Sequence, residues 1–201
     1  MDRAEALARL KVLVGCDLVD LGTTSGVTIW KGERFNKGWA GHTIERHLGL
    51  ALNSSRAPNF GSWELKVVPV KVLPNGAFKV KETMAITMID PVEVAAKEFP
   101  ESHLFAKLER MIVVARVFES VAERRSLCHL VAEFDLGNQD LYQQIKADYD
   151  LVREVIRAKG FHYLSGSMGV LVQPRTKGPG HGSTSRAFYA RARLVAKILG
   201  L

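Results

Sequence analysis

Cysteine is scarce in this chain. Cys16 and Cys128 are the only two among 201 residues, and neither belongs to a Cys-x-x-Cys pair or a metal-ligand cluster. That excludes a disulfide-stapled secreted scaffold and a zinc ribbon, and both thiols are expected to be buried and reduced. Long apolar runs are also missing: no stretch approaches the roughly 18 residues a membrane span needs. The opening segment MDRAEALARLKVLVGCDLVD carries charge on both sides of its short apolar run, which is not the layout of a signal peptide. A cytoplasmic protein without membrane attachment is therefore expected. Neither GxxxxGK nor a GxGxxG after a strand occurs, which argues against a nucleotide fold.

Acidic residues give out toward the C-terminus. None follows Glu154, while basic residues continue from Arg157 to Lys197. The whole chain carries a formal charge of +7 with a pI near 9.5. A polyanion partner fits that balance, and its phosphate-contacting surface is expected in the last third. Hydrophobic residues make up 47% and charged residues 24%, as in an ordinary globular protein. Its length suits one domain with a real core.

The apolar spacing predicts helices over residues 2–13, 39–50 and 136–159, the last ending at Gly160. Two strands, 62–72 and 78–89, flank the turn signal Pro74-Asn75-Gly76, and Pro69 suggests a bulge or an edge position. Further helices are expected at 92–98 and, capped by Ser102, through Leu108. Strands follow at 111–118, read as central, at 127–134 and at 168–174. The chain closes with strand or helix character over 185–199. This order predicts an α/β fold in which a mixed sheet carries helices on its faces.

The segment with chemical promise is Pro58-Asn-Phe-Gly-Ser-Trp-Glu-Leu-Lys66. On a strand, Glu64 and Lys66 share one face while Trp63 and Leu65 take the other. An isolated Glu-x-Lys is usually a surface pair. Here it follows a turn containing Asn59, and a helix bearing Glu45 precedes that turn. Phosphodiester hydrolysis needs a metal held by oxygen ligands and a water activated beside it. Glu64, the side-chain oxygen of Asn59 and the backbone carbonyl of Leu65 can supply such ligands. Lys66 can orient or deprotonate the water or stabilise phosphate charge, and Glu45 can approach from the side.

The blocks GWAGHTIERHLGL, PNFGSWELKVVPV and KETMAITM resemble the MutH family. That family comprises the GATC-nicking mismatch-repair endonuclease and restriction-enzyme relatives such as MvaI and BcnI. Glu45 matches the helix glutamate of the family pattern, Asn59 stands at its Pro-Asp-Phe aspartate, and Glu64 and Lys66 match its Glu-x-Lys. Downstream, Lys107 in SHLFAKLERMIVV is similar to the family's lysine before a central strand. LVQPRTKG and SRAFYARARLVAKIL resemble its closing segments.

The resemblance implies a restriction-endonuclease-like fold whose two lobes form a DNA cleft. It implies a catalytic part over about 36–120 and a basic DNA-contacting part over about 160–201 within one domain. It further implies Mg²⁺, with Mn²⁺ able to substitute, acting on double-stranded DNA to leave a 5′-phosphate and a 3′-hydroxyl. Lys107, Arg175, Lys177, His181, Arg186 and Arg191 are the candidates for DNA contact. Partner expectations are a cognate methyltransferase or mismatch-repair proteins, a nucleoid-associated location, and either a monomer or a homodimer.

Asn59 departs from the pattern. An amide oxygen is a neutral, weaker Mg²⁺ ligand than a carboxylate. An inactivated variant, a tolerated asparagine and a cutting function lost in favour of DNA binding all remain open. The short spacing from residue 59 to Glu64 favours a sequence-specific restriction enzyme over a strand-nicking repair enzyme. A catalytically silent DNA-binding module is the further alternative.

Overall fold

The computed structural model describes residues 1–49, 58, 61–178 and 184–201. Asn59 and His181 lie outside the described residues. The chain opens with α1 (Arg3–Lys11) and α2 (Leu18–Thr24), each begun by an aspartate, Asp2 or Asp17, whose side chain accepts a backbone N–H of the first turn. A small hairpin of β1 (Trp30–Lys31) and β2 (Arg34–Phe35) leads to α3 (Trp39–His47). Then come β3 (Glu64–Val72), β4 (Phe78–Val80), β5 (Met84–Met88), α4 (Pro91–Ala96) and α5 (His103–Glu109). The second half runs β6 (Arg110–Val117), β7 (Cys128–Asp135), α6 (Gln139–Lys159), β8 (Val172–Thr176), β9 (Arg186–Ala190) and α7 (Ala192–Leu199).

Four strands form a mixed sheet in the order β4-β3-β6-β7, and three form a second sheet in the order β5-β9-β8. The parallel β3–β6 pair is its spine, with Glu64 opposite Met111 and Lys66 opposite Val113. The unbroken apolar run of β6 has a physical cause. Met111, Val113 and Ala115 face one core, shared with Val68 and Val70, α6 and α7, while Ile112 and Val114 face another, shared with Leu65, α1 and α3. A strand covered on both faces has no polar side to alternate with. The expected α/β class, with helices on both faces of a mixed sheet, is what the chain adopts.

Three expectations are corrected. Residues 78–89 are not one strand: β4 pairs with β3, whereas β5 pairs with β9 in the other sheet. Two short strands aimed at different partners look continuous in hydropathy. Pro69 is not on an outer strand, since β3 lies between β4 and β6. It sits where β4 pairing stops, one residue before Val70, so the missing N–H costs no ladder bond on that side. Cys128 is buried as expected, but Cys16 is exposed.

Candidate functional site

Because β4 pairs only from Val70 onward, the first half of β3 is bonded to β6 on one side and has no β4 partner on the other. Along this stretch runs an open groove of about 1400 Å³, lined by Lys66 to Pro69 of β3, Glu82 to Ala85, and Arg175 to Gly178 with Tyr189. The region before and at the start of α3 also lines it, including Lys31, Arg34, Lys37 and His42.

Glu64 is completely buried at the head of β3. Its even-numbered face is the one against which α5 packs, and α5 runs directly into β6. That connection brings Lys107 to the same end of the sheet. The ammonium groups of Lys66 and Lys107 both donate to Oε1 of Glu64, at 2.6 and 3.1 Å. Their side chains are only 19% and 7% exposed. A buried carboxylate is tolerated when it is paired and hydrogen-bonded, and here two cations are supplied for one anion. Burial holds the Lys107 ammonium below the ordinary lysine pKa, against the opposing pull of Glu64, and Lys66 and Lys177 push it further down. Burial and the nearby Lys66 lower Lys177 in the same direction. Two lysine ammonium groups thus share one carboxylate oxygen, with Lys177 within electrostatic reach.

The structure brings together some of the residues expected from sequence. Glu64, Lys66 and Lys107 form one cluster, and Lys177 lies close enough to feel it. Leu65 puts its side chain into the second core, and its main chain stands between the two charged residues of β3. Glu45 is half-buried on α3, one turn after the groove-lining His42. Arg175 reaches the groove, donates to Thr83 Oγ1 at 2.9 Å, and lies 5.5 Å from the Tyr189 ring centre.

Arg186 and Arg191 do not line the groove. Arg186 donates to Thr176 Oγ1 and to the carbonyl of His162. Arg191 donates to the carbonyls of Gly166, Met168 and Gly169.

Sequence reasoning missed the basic wall before α3. Charge counting favoured the acid-free C-terminal third, and Glu33 diluted the signal around Lys31, Arg34 and Lys37. The mark that was available is the Trp30/Phe35 pair bracketing a Gly-containing turn, whose ring centres lie 4.8 Å apart across the hairpin, tilted by 43°. Among the described residues no three of His, Cys, Asp or Glu come together as a metal cluster. No helix among them is long and apolar enough to cross a membrane.

Comparison with known proteins identifies the family. The family model described as DNA mismatch repair enzyme MutH matches residues 48–148, half of the chain and the part that carries the Glu64–Lys107 cluster. The DNA mismatch repair protein MutH of Shewanella sp. (strain MR-4) is 27% identical over 179 residues, covering 87% of this chain and 77% of that protein. Its counterpart in Vibrio campbellii is 26% identical over 200 residues, covering 97% and 85%. Among solved structures, the complex of restriction endonuclease MvaI with its cognate DNA substrate aligns at 10% identity with a TM-score of 0.39, over 90% of this chain and 95% of that one. On the strength of the family match, this chain belongs to the MutH family.

Proposed function

We propose that this protein is a divalent-metal-dependent endonuclease that hydrolyses phosphodiester bonds in duplex DNA, leaving a 5′-phosphate and a 3′-hydroxyl. The observation that carries this reading is the Glu64–Lys66–Lys107 cluster at the edge of β3 that β4 leaves unpaired, reaching through Lys66 a groove lined by lysine and arginine from several elements. Lysine and arginine from several separate elements lining one groove suit a duplex, whose backbones present a row of phosphates.

The donor chemistry fits Mg²⁺, with Mn²⁺ as substitute. Glu64, the Leu65 carbonyl and the side-chain oxygen of Asn59 offer only oxygen, the preference of a hard cation. The metal would supply Lewis acidity and lower the pKa of a water. The residues themselves do the rest. Glu64 holds Lys66 and Lys107 in place as paired ammonium groups. A phosphate entering the groove gives those groups a second anion, so they stabilise the charge that builds on its oxygens. Lys66, the more exposed of the two, is placed to orient the attacking water. Glu45 approaches from α3, and Lys31, Arg34, Arg175 and Lys177 hold the backbone.

The names of the relatives favour a strand-nicking mismatch-repair enzyme over the restriction enzyme that the spacing from residue 59 to Glu64 suggests. Asn59 in place of a carboxylate predicts weak or absent cutting by the chain as it stands. The deciding experiment incubates supercoiled unmethylated plasmid with this chain and with Asn59→Asp, each with Mg²⁺ and with EDTA. Metal-dependent nicked circle supports the repair nickase, and discrete linear fragments support the restriction enzyme. Salt-dependent binding without cutting by either form would leave a DNA-binding module and refute the enzyme.

A further inference from the structure

The chain between α6 and β8 is held by two opposite charges acting on its main chain. Asp148 of α6 is 3% exposed, yet its carboxylate accepts three consecutive backbone N–H groups, from Val170, Leu171 and Val172, at 2.7, 2.6 and 2.8 Å. Gln144 of the same helix adds a fourth donor at 3.1 Å. Arg191, between β9 and α7, takes the carbonyls of the same stretch: Gly169 at 3.1 Å, Gly166 at 2.9 Å and Met168 at 3.0 Å. A regular strand cannot direct three successive N–H groups at one carboxylate, because its groups alternate in direction. The stretch does so by turning at Gly169, where φ is +75° and an added Cβ would lie 1.8 Å from the Val172 carbonyl oxygen. No other residue fits there.

The clamp ends where β8 begins. That strand has only five residues, and it carries Arg175 and leads into Lys177, both on the groove wall. Its register, with Val172 opposite Ala190 and Arg175 opposite Ala187, decides which side chains face the groove. A slip of one residue would turn Arg175 to the other face. The anchored partners of both strands converge on the clamp: Asp148 holds Val172, while Arg191 follows Ala190 and its own N–H donates to the Leu171 carbonyl.

We propose that Asp148 and Arg191 are positioning residues for DNA binding. They grip the 166–172 stretch from opposite sides and so fix the register in which β8 presents Arg175 and Lys177 to the phosphate backbone. The proposal rests on the DNA-cutting reading and assigns Arg191 an indirect part in it.

The test measures binding of a fluorescein-labelled 30-base-pair duplex by anisotropy, in Ca²⁺, across a salt series. Asp148→Asn keeps the shape but turns an amide N–H₂ toward backbone donors. Arg191→Lys keeps the charge but replaces a fork by a single ammonium. Each is expected to weaken binding about tenfold and to flatten the salt slope by about two, the loss of two phosphate contacts. Added to Arg175→Ala/Lys177→Ala, either change is expected to cost nothing further. The inference is overturned by a wild-type slope in both variants, or by losses that add in full to those of the double alanine. Should Asp148→Asn fail to fold, Arg191→Lys carries the same test. A wild-type protein without salt-dependent affinity would overturn the function and the clamp together, whereas normal wild-type binding with insensitive variants would overturn the clamp alone.

Discussion

Two buried ion clusters sit at opposite ends and on opposite faces of the β3–β6 pair, and their stoichiometry differs. At the far end, Arg116 donates to both oxygens of Glu123, at 2.7 and 3.1 Å, and to Ser126 Oγ at 3.0 Å, while its guanidinium lies 5.1 Å from the Trp39 ring centre. One cation meets one anion in bidentate geometry. Glu123 adopts a left-handed φ of 46° to complete the pair. At the near end, two lysines crowd one carboxylate oxygen and a third lies within electrostatic reach. The first cluster is balanced and encloses itself. The second joins two cations to one carboxylate oxygen and reaches the groove through Lys66. Burial of charge is common to both, so burial alone does not mark a functional site. Lysines that share a carboxylate beside an opening do, because there an added anion has cations to meet.

The most demanding test of that contrast is Glu64→Gln, made in whichever of the Asn59 and Asn59→Asp forms cuts DNA. It removes the carboxylate charge at nearly constant shape. Cleavage is expected to fall by about 10³ or more, the scale seen when a preorganised electrostatic group is lost. Duplex affinity should hold or rise, since one negative charge has left the side of the groove-lining Lys66. Weakened binding together with preserved cutting would make the near-end cluster structural and erase the contrast.

Arg116→Met is the matching change at the other end. It leaves Glu123 buried without its partner, a loss of about 3–5 kcal/mol in unfolding free energy by urea titration. Duplex affinity and its salt slope should not change, because Arg116 is absent from the groove lining. A fall of less than about 1 kcal/mol, or a changed salt slope, would mean that the far-end cluster is not the structural counterpart described above.

Sequence made the near-end cluster half legible. Glu64 and Lys66 are two residues apart on one strand, so period-two geometry alone puts them together. Lys107 is 43 positions from Glu64. Its sequence gives its place on a short helix ahead of a central strand, but not that parallel pairing of β3 with β6 would bury it against Glu64. Its expected role was contact with DNA. The far-end pair was not legible at all, because Arg116 looks like a single charge interrupting an apolar run and Glu123 lies in an irregular segment. The helix caps at Ser102 and Gly160 were readable because they are local. The split of 78–89 between two sheets was not, since only the partner strands distinguish β4 from β5. Likewise β8 begins at Val172 rather than at 168, because the clamp on 166–172 draws its main chain away from strand geometry.

The smallest expected effect comes from pH, and it separates lysine from arginine around the groove. Lys177 titrates below the ordinary lysine value of 10.5 through burial and the neighbouring Lys66. As pH rises through the window between its lowered folded value and 10.5, the folded protein has already released a proton that the unfolded chain still holds. Unfolding free energy therefore rises with pH there, while duplex affinity falls because a groove cation is lost. The thiol of Cys128, pushed up to about 11 by burial, works in the opposite sense by lowering stability above 9.0, so stability is best measured in a Cys128→Ala background. An arginine guanidinium in general keeps its proton across this range. The salt slope of duplex binding should thus flatten by about one between neutral and alkaline pH. In Lys177→Arg that change should shrink to what Lys107, lowered in the same direction, still contributes. If it persists in full in the arginine variant, Lys177 is not the titrating cation.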